Sequence, residues 1–337
     1  MKRAKSAGSL SLPVKALLLF LPLAAVIVSL FFGRYPISLR EVVFSLFGSQ
    51  DVALTSRVTV LQLRLPRAIA AAFVGASLAV SGAAFQSVFR NPLVNSGILG
   101  VSNGAGFGAC IAIVFFGGGI FTYILSFVFA VAAVILSYFA GRISRVTTSV
   151  TMILGGVIVG AFFSALVSIM KFVADPYSQL PSITFWFMGS FASVNYSHLY
   201  ATIPMGIGML LIFFSRWKLN VLSMGEREAS SLGVDVRKVQ ILIIGGATLC
   251  TAAAVCISGT IGWVGLVIPH IGRMIIGNSN QKLIPVSISL GSAFMVIMDL
   301  LSRTLTGSEI PIGILCALIG TPFFVYLLKK TKGGFKT

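Results

Sequence analysis

An all-α, multi-pass membrane protein of about ten transmembrane helices, with both termini cytoplasmic, is the fold class this sequence predicts. Three observations lead there. Hydrophobic residues make up 57% of the 337 positions, and the mean hydropathy is +1.00. Only 25 Lys and Arg and 8 Asp and Glu interrupt the chain. The apolar runs are punctuated by Gly and Pro at intervals that suit helices of about 20 residues, the length a bilayer requires. No stretch is long and polar enough for a separate soluble domain, so residues 1–337 are read as one transmembrane domain.

The elements follow in order. Lys2, Arg3, Lys5 and Lys15 precede an apolar run at 15–33. It exceeds a signal-peptide core and lacks a clear small-x-small cleavage site, so it is expected to be the first transmembrane helix. Further spans are expected at 60–85, 93–109, 113–140, 149–173, 198–215, 237–257, 265–277, 283–303 and 311–328. Gly75, Gly82, Gly155, Gly156, Gly160, Gly245 and Gly246 fall in mid-span, where small residues let helices approach closely. With ten spans both termini share a side, and 18 of the 25 Lys and Arg residues fall on it. The positive-inside rule makes that side cytoplasmic. The same rule explains the formal net charge of +17 without a nucleic-acid partner.

Residues 259–273 (GTIGWVGLVIPHIGR) do not fit a smooth spanning helix. Gly259, Gly262, Gly265, Pro269 and His270 mark a broken segment. Irregular backbone at membrane depth is tolerated only where protein buries it or where it lines a cavity, as in transporters. His270 has a structural and a ligating reading, and no second His or carboxylate is near it in sequence. Cys110, Cys250, Cys256 and Cys316 lie in apolar runs without metal-ligand spacing and are expected to pack in the interior. Trp186 and Trp263 are expected at the outer interface. Residues 75–100 and 246–272 each run a Gly-Ala-x-Leu helix into Ser-Gly and then a Pro break, which suggests an inverted repeat.

Several function classes lack material. There is no G-x-x-x-x-G-K-[ST] phosphate loop, so the chain is not expected to bind or hydrolyse ATP. Intramembrane carboxylates are too few for a proton relay, which argues against an ion-coupled transporter. No polar cluster supports an enzyme, so no catalytic residue, metal site or cofactor is expected. Polar loop 216–238 instead carries a short amphipathic pattern (Leu222, Ala229, Leu232), with Glu226 and Glu228 after Gly225 and a stop at Gly233. Such a helix can dock a soluble partner or lie on lipid.

Arg64-Leu-Pro-Arg67, Arg90-Asn-Pro-Leu93, Leu99-Gly-Val-Ser-Asn-Gly-Ala-Gly106, Phe185-Trp-Phe-Met-Gly-Ser190, loop 219–233, Gly259–Arg273 and Glu309-Ile-Pro-Ile-Gly313 occur in an order that resembles the FecCD permeases of bacterial ABC importers. These import ferric siderophores, haem and cobalamin, and closely similar permeases serve oxyanions such as molybdate or tungstate. The resemblance covers about residues 15–330 and implies a type II importer permease in the prokaryotic cytoplasmic membrane. It implies a second permease copy (a homodimer), two cytoplasmic ATPase subunits that use Mg-ATP, and an extracytoplasmic substrate-binding protein. Leu219, Asn220, Leu222, Gly225, Glu226, Arg227, Leu232 and Gly233 match the ATPase-coupling region. Arg64, Arg67 and Arg303 match positions that present arginines to acidic residues of the binding protein, although Arg can also snorkel to lipid phosphates. Asp299 is expected to orient Arg303 by an i,i+4 pair, and Glu309 to fix the loop before the last helix. Asn91, Leu93, Thr147 and Thr148 are candidates for a cytoplasmic gate, a role that helix capping could accompany.

Overall fold

In hydrocarbon each backbone N–H and C=O must find a partner within the protein, and a helix meets that demand locally. The computed structural model describes residues 11–48, 52–142 and 149–330, and every regular element among them is helical. They are α1 (Leu12–Phe31), α2 (Leu39–Leu46), α3 (Leu54–Val58), α4 (Leu65–Val88), α5 (Val101–Phe116), α6 (Ile120–Gly141), α7 (Ser149–Val173) and α8 (Gln179–Met188). Then come α9 (Thr202–Phe214), α10 (Arg216–Leu222), α11 (Glu226–Ser231), α12 (Val236–Ser258), α13 (Val264–Ile276), α14 (Asn280–Thr304) and α15 (Ile312–Lys330). A π turn at Thr59–Arg64 joins α3 to α4, and a 3-10 turn at Tyr196–Ala201 leads into α9.

Seven of the described helical stretches are long and apolar enough to cross a membrane: Pro13–Phe31, Leu54–Val88, Ile120–Gly141, Val150–Val173, Tyr196–Phe214, Val236–Ser258 and Asn280–Thr304. α5, α13 and α15 are apolar but shorter; α13 and α15 match the expected spans at 265–277 and 311–328 within two residues, and α5 overlaps 93–109 only in part. The largest offset is at α5. The span is expected from residue 93, yet the Asn91 and Asn95 side chains accept backbone N–H groups two residues ahead, at 2.9 Å each, and turn the chain before α5 starts at Val101. Gly117, Gly118 and Gly119 all have positive φ and delay α6 to Ile120.

α4 is the central helix, buried along most of its length and packed by α14, α12, α13 and α9. Small residues set its distances: a Cβ on Gly75 would overlap the carbonyl of Gly291 on α14, and one on Gly82 would overlap that of Gly265 on α13. Gly245, expected to do likewise, faces open space. α12 packs on α9 and α4, and the Thr251 hydroxyl donates to Ser81 Oγ of α4 at 3.0 Å. α6 packs on α5, α7 and α12, and α6 and α7 expose Phe139, Phe162 and Phe172, a surface suited to lipid.

Candidate functional site

The broken segment is a junction of three chain turns. α12 ends at Gly259 (φ 67°), and α13 begins after Trp263 (φ 69°), so the backbone reverses within five residues. A Cβ on Gly259 would overlap the carbonyl of Trp186, so α8 abuts the turn directly. The Ser190 N–H donates to the Ser258 carbonyl at 2.8 Å, and the Ile312 N–H donates to the Gly189 carbonyl at 2.9 Å. The Thr260 hydroxyl closes the set on the Phe187 carbonyl. The ends of α8 and α12 and the start of α15 are thereby fixed to one another.

Pro269 lies inside α13 and has no N–H for the carbonyl four residues earlier, that of Gly265. Gln86 of α4 supplies the missing donor, with Nε2 3.2 Å from the Gly265 oxygen and only 3% of the residue exposed. Sequence reading missed Gln86. The available signal was the proline itself, which obliges some distant donor to reach that carbonyl. His270 follows on α13, partly exposed, and no group of three or more His, Cys, Asp or Glu among the described residues is placed to hold a metal. All four cysteines are buried and free. Gly262 faces open space. Trp263 packs on Gly320 and Phe324 of α15.

At the end of the core where α4 begins and α14 ends, the arginines expected to face outward are buried. Arg67 donates Nε to Asp299 Oδ1 at 2.7 Å and a bidentate pair to Glu309 at 3.0 Å each. Arg303 donates to the Ser29 carbonyl at 2.6 Å, and its Nε lies 3.6 Å from Asp299 Oδ2. Arg64 donates to the carbonyls of Leu30, in the last turn of α1, and of Tyr35, just past it. Burial leaves 4%, 8% and 5% of Arg64, Arg67 and Arg303 exposed, so none of the three stands free at the surface of this chain. A desolvated guanidinium needs partners, and here the fold supplies most of them: Arg303 Nε and Asp299 Oδ2 attract as charges but make no hydrogen bond. The expected i,i+4 pairing of Asp299 is present, but its stronger partner is Arg67, 232 residues away. Glu309 ties the loop before α15 to α4, as expected.

At the opposite end of α4 lies the loop read as a docking element. It holds two short helices rather than one. α10 buries Leu219, Val221 and Leu222. α11 begins after Gly225 (φ 146°), buries Ala229 and stops before Gly233 (φ 77°). Arg227 and Leu232 are exposed, Glu226 accepts from Gln240 Nε2 at 3.0 Å, and Asn220 reaches the start of α14. Asp235 caps α12 by accepting the Lys238 N–H at 3.1 Å and pairs with the Lys238 ammonium at 3.0 Å. These contacts hold its carboxyl below the usual aspartate range. Leu93 is exposed beside this end, and Asn91 turns the chain there. Thr147 and Thr148 lie outside the described residues.

Comparisons with known proteins agree on one family. The profile of the FecCD transport family matches residues 19–330. The chain is 40% identical to the molybdate import system permease protein MolB of Haemophilus influenzae, over 94% of this chain and 95% of that protein. It is 38% identical to the cobalamin import system permease protein BtuC of Halobacterium salinarum, over 82% of this chain and 74% of that protein. Among solved structures, a metal-chelate type ABC transporter in an inward-facing conformation superposes with a TM-score of 0.84 and 37% identity, over 94% of this chain and 99% of that one. With its helical membrane fold, this chain therefore belongs to the FecCD transport family and is a permease subunit of an ABC importer, a transport component whose ATP hydrolysis is done by partner ATPases.

Proposed function

We propose that this chain translocates a metal chelate (a ferric siderophore, haem or cobalamin) across the prokaryotic cytoplasmic membrane, as one of two identical permease subunits. The observation that carries this reading is the near full-length likeness to a metal-chelate type ABC transporter. α5, α13 and α15 complete ten spans, and the Lys/Arg asymmetry puts both termini and the α10–α11 loop in the cytoplasm. Two ATPase subunits, holding the Mg-ATP, dock on Leu219, Asn220, Leu222, Gly225, Glu226, Arg227, Leu232 and Gly233. The Arg67 end then faces outward. A binding protein engages it by placing its own carboxylate on Arg67 in place of Glu309, whose side chain is 24% exposed against 1% for Asp299. The scarcity of polar side chains in the spans fits a pathway that passes bulky cargo without gripping it, leaving selection to the binding protein.

A second cargo has a specific observation in its favour. The 40% identity to a molybdate permease extends over nearly the whole chain and supports an oxyanion on the same architecture. Uptake by cells with and without this chain, under iron limitation, separates the two. Labelled ferric siderophore, haem, cobalamin and molybdate are supplied in parallel. Loss of one chelate alone is the expected result, and loss of molybdate alone overturns the cargo class while keeping the architecture. Changing Glu226 and Arg227 together to Ala should abolish uptake with membrane insertion intact; normal uptake would remove the coupling assignment.

A further inference from the structure

We infer that Asn280 is a positioning residue that carries motion of the α10–α11 loop into the two core helices α4 and α14. The inference rests on the assignment of that loop to the ATPase subunits. Asn280 is the first residue of α14 and is 1% exposed. Its own N–H, one of the free donors of a helix start, is not capped from its own strand of chain, since Ser279 makes no side-chain cap. Asn220 of α10 caps it instead, with Oδ1 at 3.0 Å. The Asn280 side chain returns to α10 through Nδ2, 3.5 Å from the Leu219 carbonyl. On its other side Oδ1 lies 2.8 Å from the Ser87 hydroxyl, in the last turns of α4.

One buried amide therefore touches α10, α14 and α4. Leu219 and Asn220 stand at the head of the loop that receives the ATPase, so a displacement of α10 removes the cap of α14 and pulls the Asn280 side chain away from α4. The Ser87 hydroxyl has a second acceptor ready, the Ala83 carbonyl at 2.9 Å. Its single hydrogen can move between the two without becoming unpaired. A neutral contact with a waiting alternative can break and re-form in each transport cycle, which a buried ion pair could not do cheaply.

The test uses the full chain assembled with its ATPase subunits in lipid nanodiscs. Gln281, exposed next to Asn280, is changed to Cys as a reporter, and the four native cysteines are buried. The maleimide labelling rate is compared with and without Mg-ATP. In the otherwise unchanged chain Mg-ATP shifts the rate. Asn280→Leu, which keeps size and loses both polar atoms, should assemble with the ATPase and hydrolyse ATP while the nucleotide effect on labelling disappears. Asn280→Gln keeps both an amide donor and an acceptor, so it should restore at least part of the effect. Where Asn280→Leu does not assemble, Ser87→Ala decides. It removes one neutral hydrogen bond and should weaken the nucleotide effect by about fivefold. A full nucleotide effect in Asn280→Leu or Ser87→Ala overturns the inference and leaves the coupling loop standing. A labelling rate insensitive to Mg-ATP in the unchanged chain overturns it as well. Failure of the unchanged chain to bind the ATPase subunits would overturn the assignment beneath it.

Discussion

The two ends of the α4–α14 pair are built from different chemistry. At the Arg67 end, three buried arginines, buried Asp299 and partly exposed Glu309 lock α4, α14, the end of α1 and the loop before α15. At the Ser87 end, the same two helices meet α10 through neutral side chains only: Ser87, Asn280 and Asn220. Removing one partner of a buried ion pair costs about 3–5 kcal/mol, because a desolvated charge is stranded. A neutral hydrogen bond contributes a net ~1 kcal/mol. The first end is therefore a fixed clamp, and the second is a joint that can open. In a protein that must move without coming apart, charge sits where geometry is held and amides sit where it changes.

The largest expected effect tests the clamp. Asp299→Ala strands Arg303 and half of Arg67, and should lower stability by about 3–5 kcal/mol, read as a fall in the detergent-solubilised melting temperature. Unaltered stability would break the comparison. Replacing Arg67, Asp299, Arg303 and Glu309 together by apolar residues should recover much of that loss. A sharper, smaller test lies next to Ser87, at Gln86. Gln86→Leu leaves the Gly265 carbonyl without a donor and should cost about 1–3 kcal/mol. Pro269→Ala restores an N–H to the same carbonyl, so the double variant should be more stable than Gln86→Leu alone; strict additivity would show that Gln86 does not serve the proline. The smallest effect concerns the start of α12. The Asp235 carboxyl titrates below its unfolded value, so its cap is complete above the ordinary aspartate range and is lost as pH falls through the lowered folded value. Amide exchange, corrected for its intrinsic pH dependence, should show residues 236–240 losing protection across that acidic window. Asp235→Asn, which removes the ionisable group, should remove the pH dependence.

Much of this architecture was legible locally. Apolar runs placed the long helices, Gly225 and Gly233 bracketed α11, and the glycines and proline of 259–273 announced a break that Gly259 and Trp263 realise with positive φ. What local pattern could not give was pairing across the chain. Arg67 and Asp299 are 232 residues apart, Ser87 and Asn280 are 193 apart, and Gln86 and Gly265 are 179 apart. Read singly, a terminal arginine looks like a surface charge and a lone Asn like a cap. α2 and α8 were missed because their short lengths carry no spanning signal. α2 depends on a capping box in which Ser38 and Glu41 bond reciprocally, with the Ser56 hydroxyl adding a tie from α3.

The contrast between clamp and joint can be measured directly by hydrogen–deuterium exchange on the assembled permease–ATPase transporter, with and without a non-hydrolysable ATP analogue and Mg. Exchange reports local opening segment by segment. The account predicts that nucleotide changes protection in peptides covering 216–240 and 278–288, while peptides covering 296–312 stay as they were. Equal change at both ends, or change confined to 296–312, would contradict it.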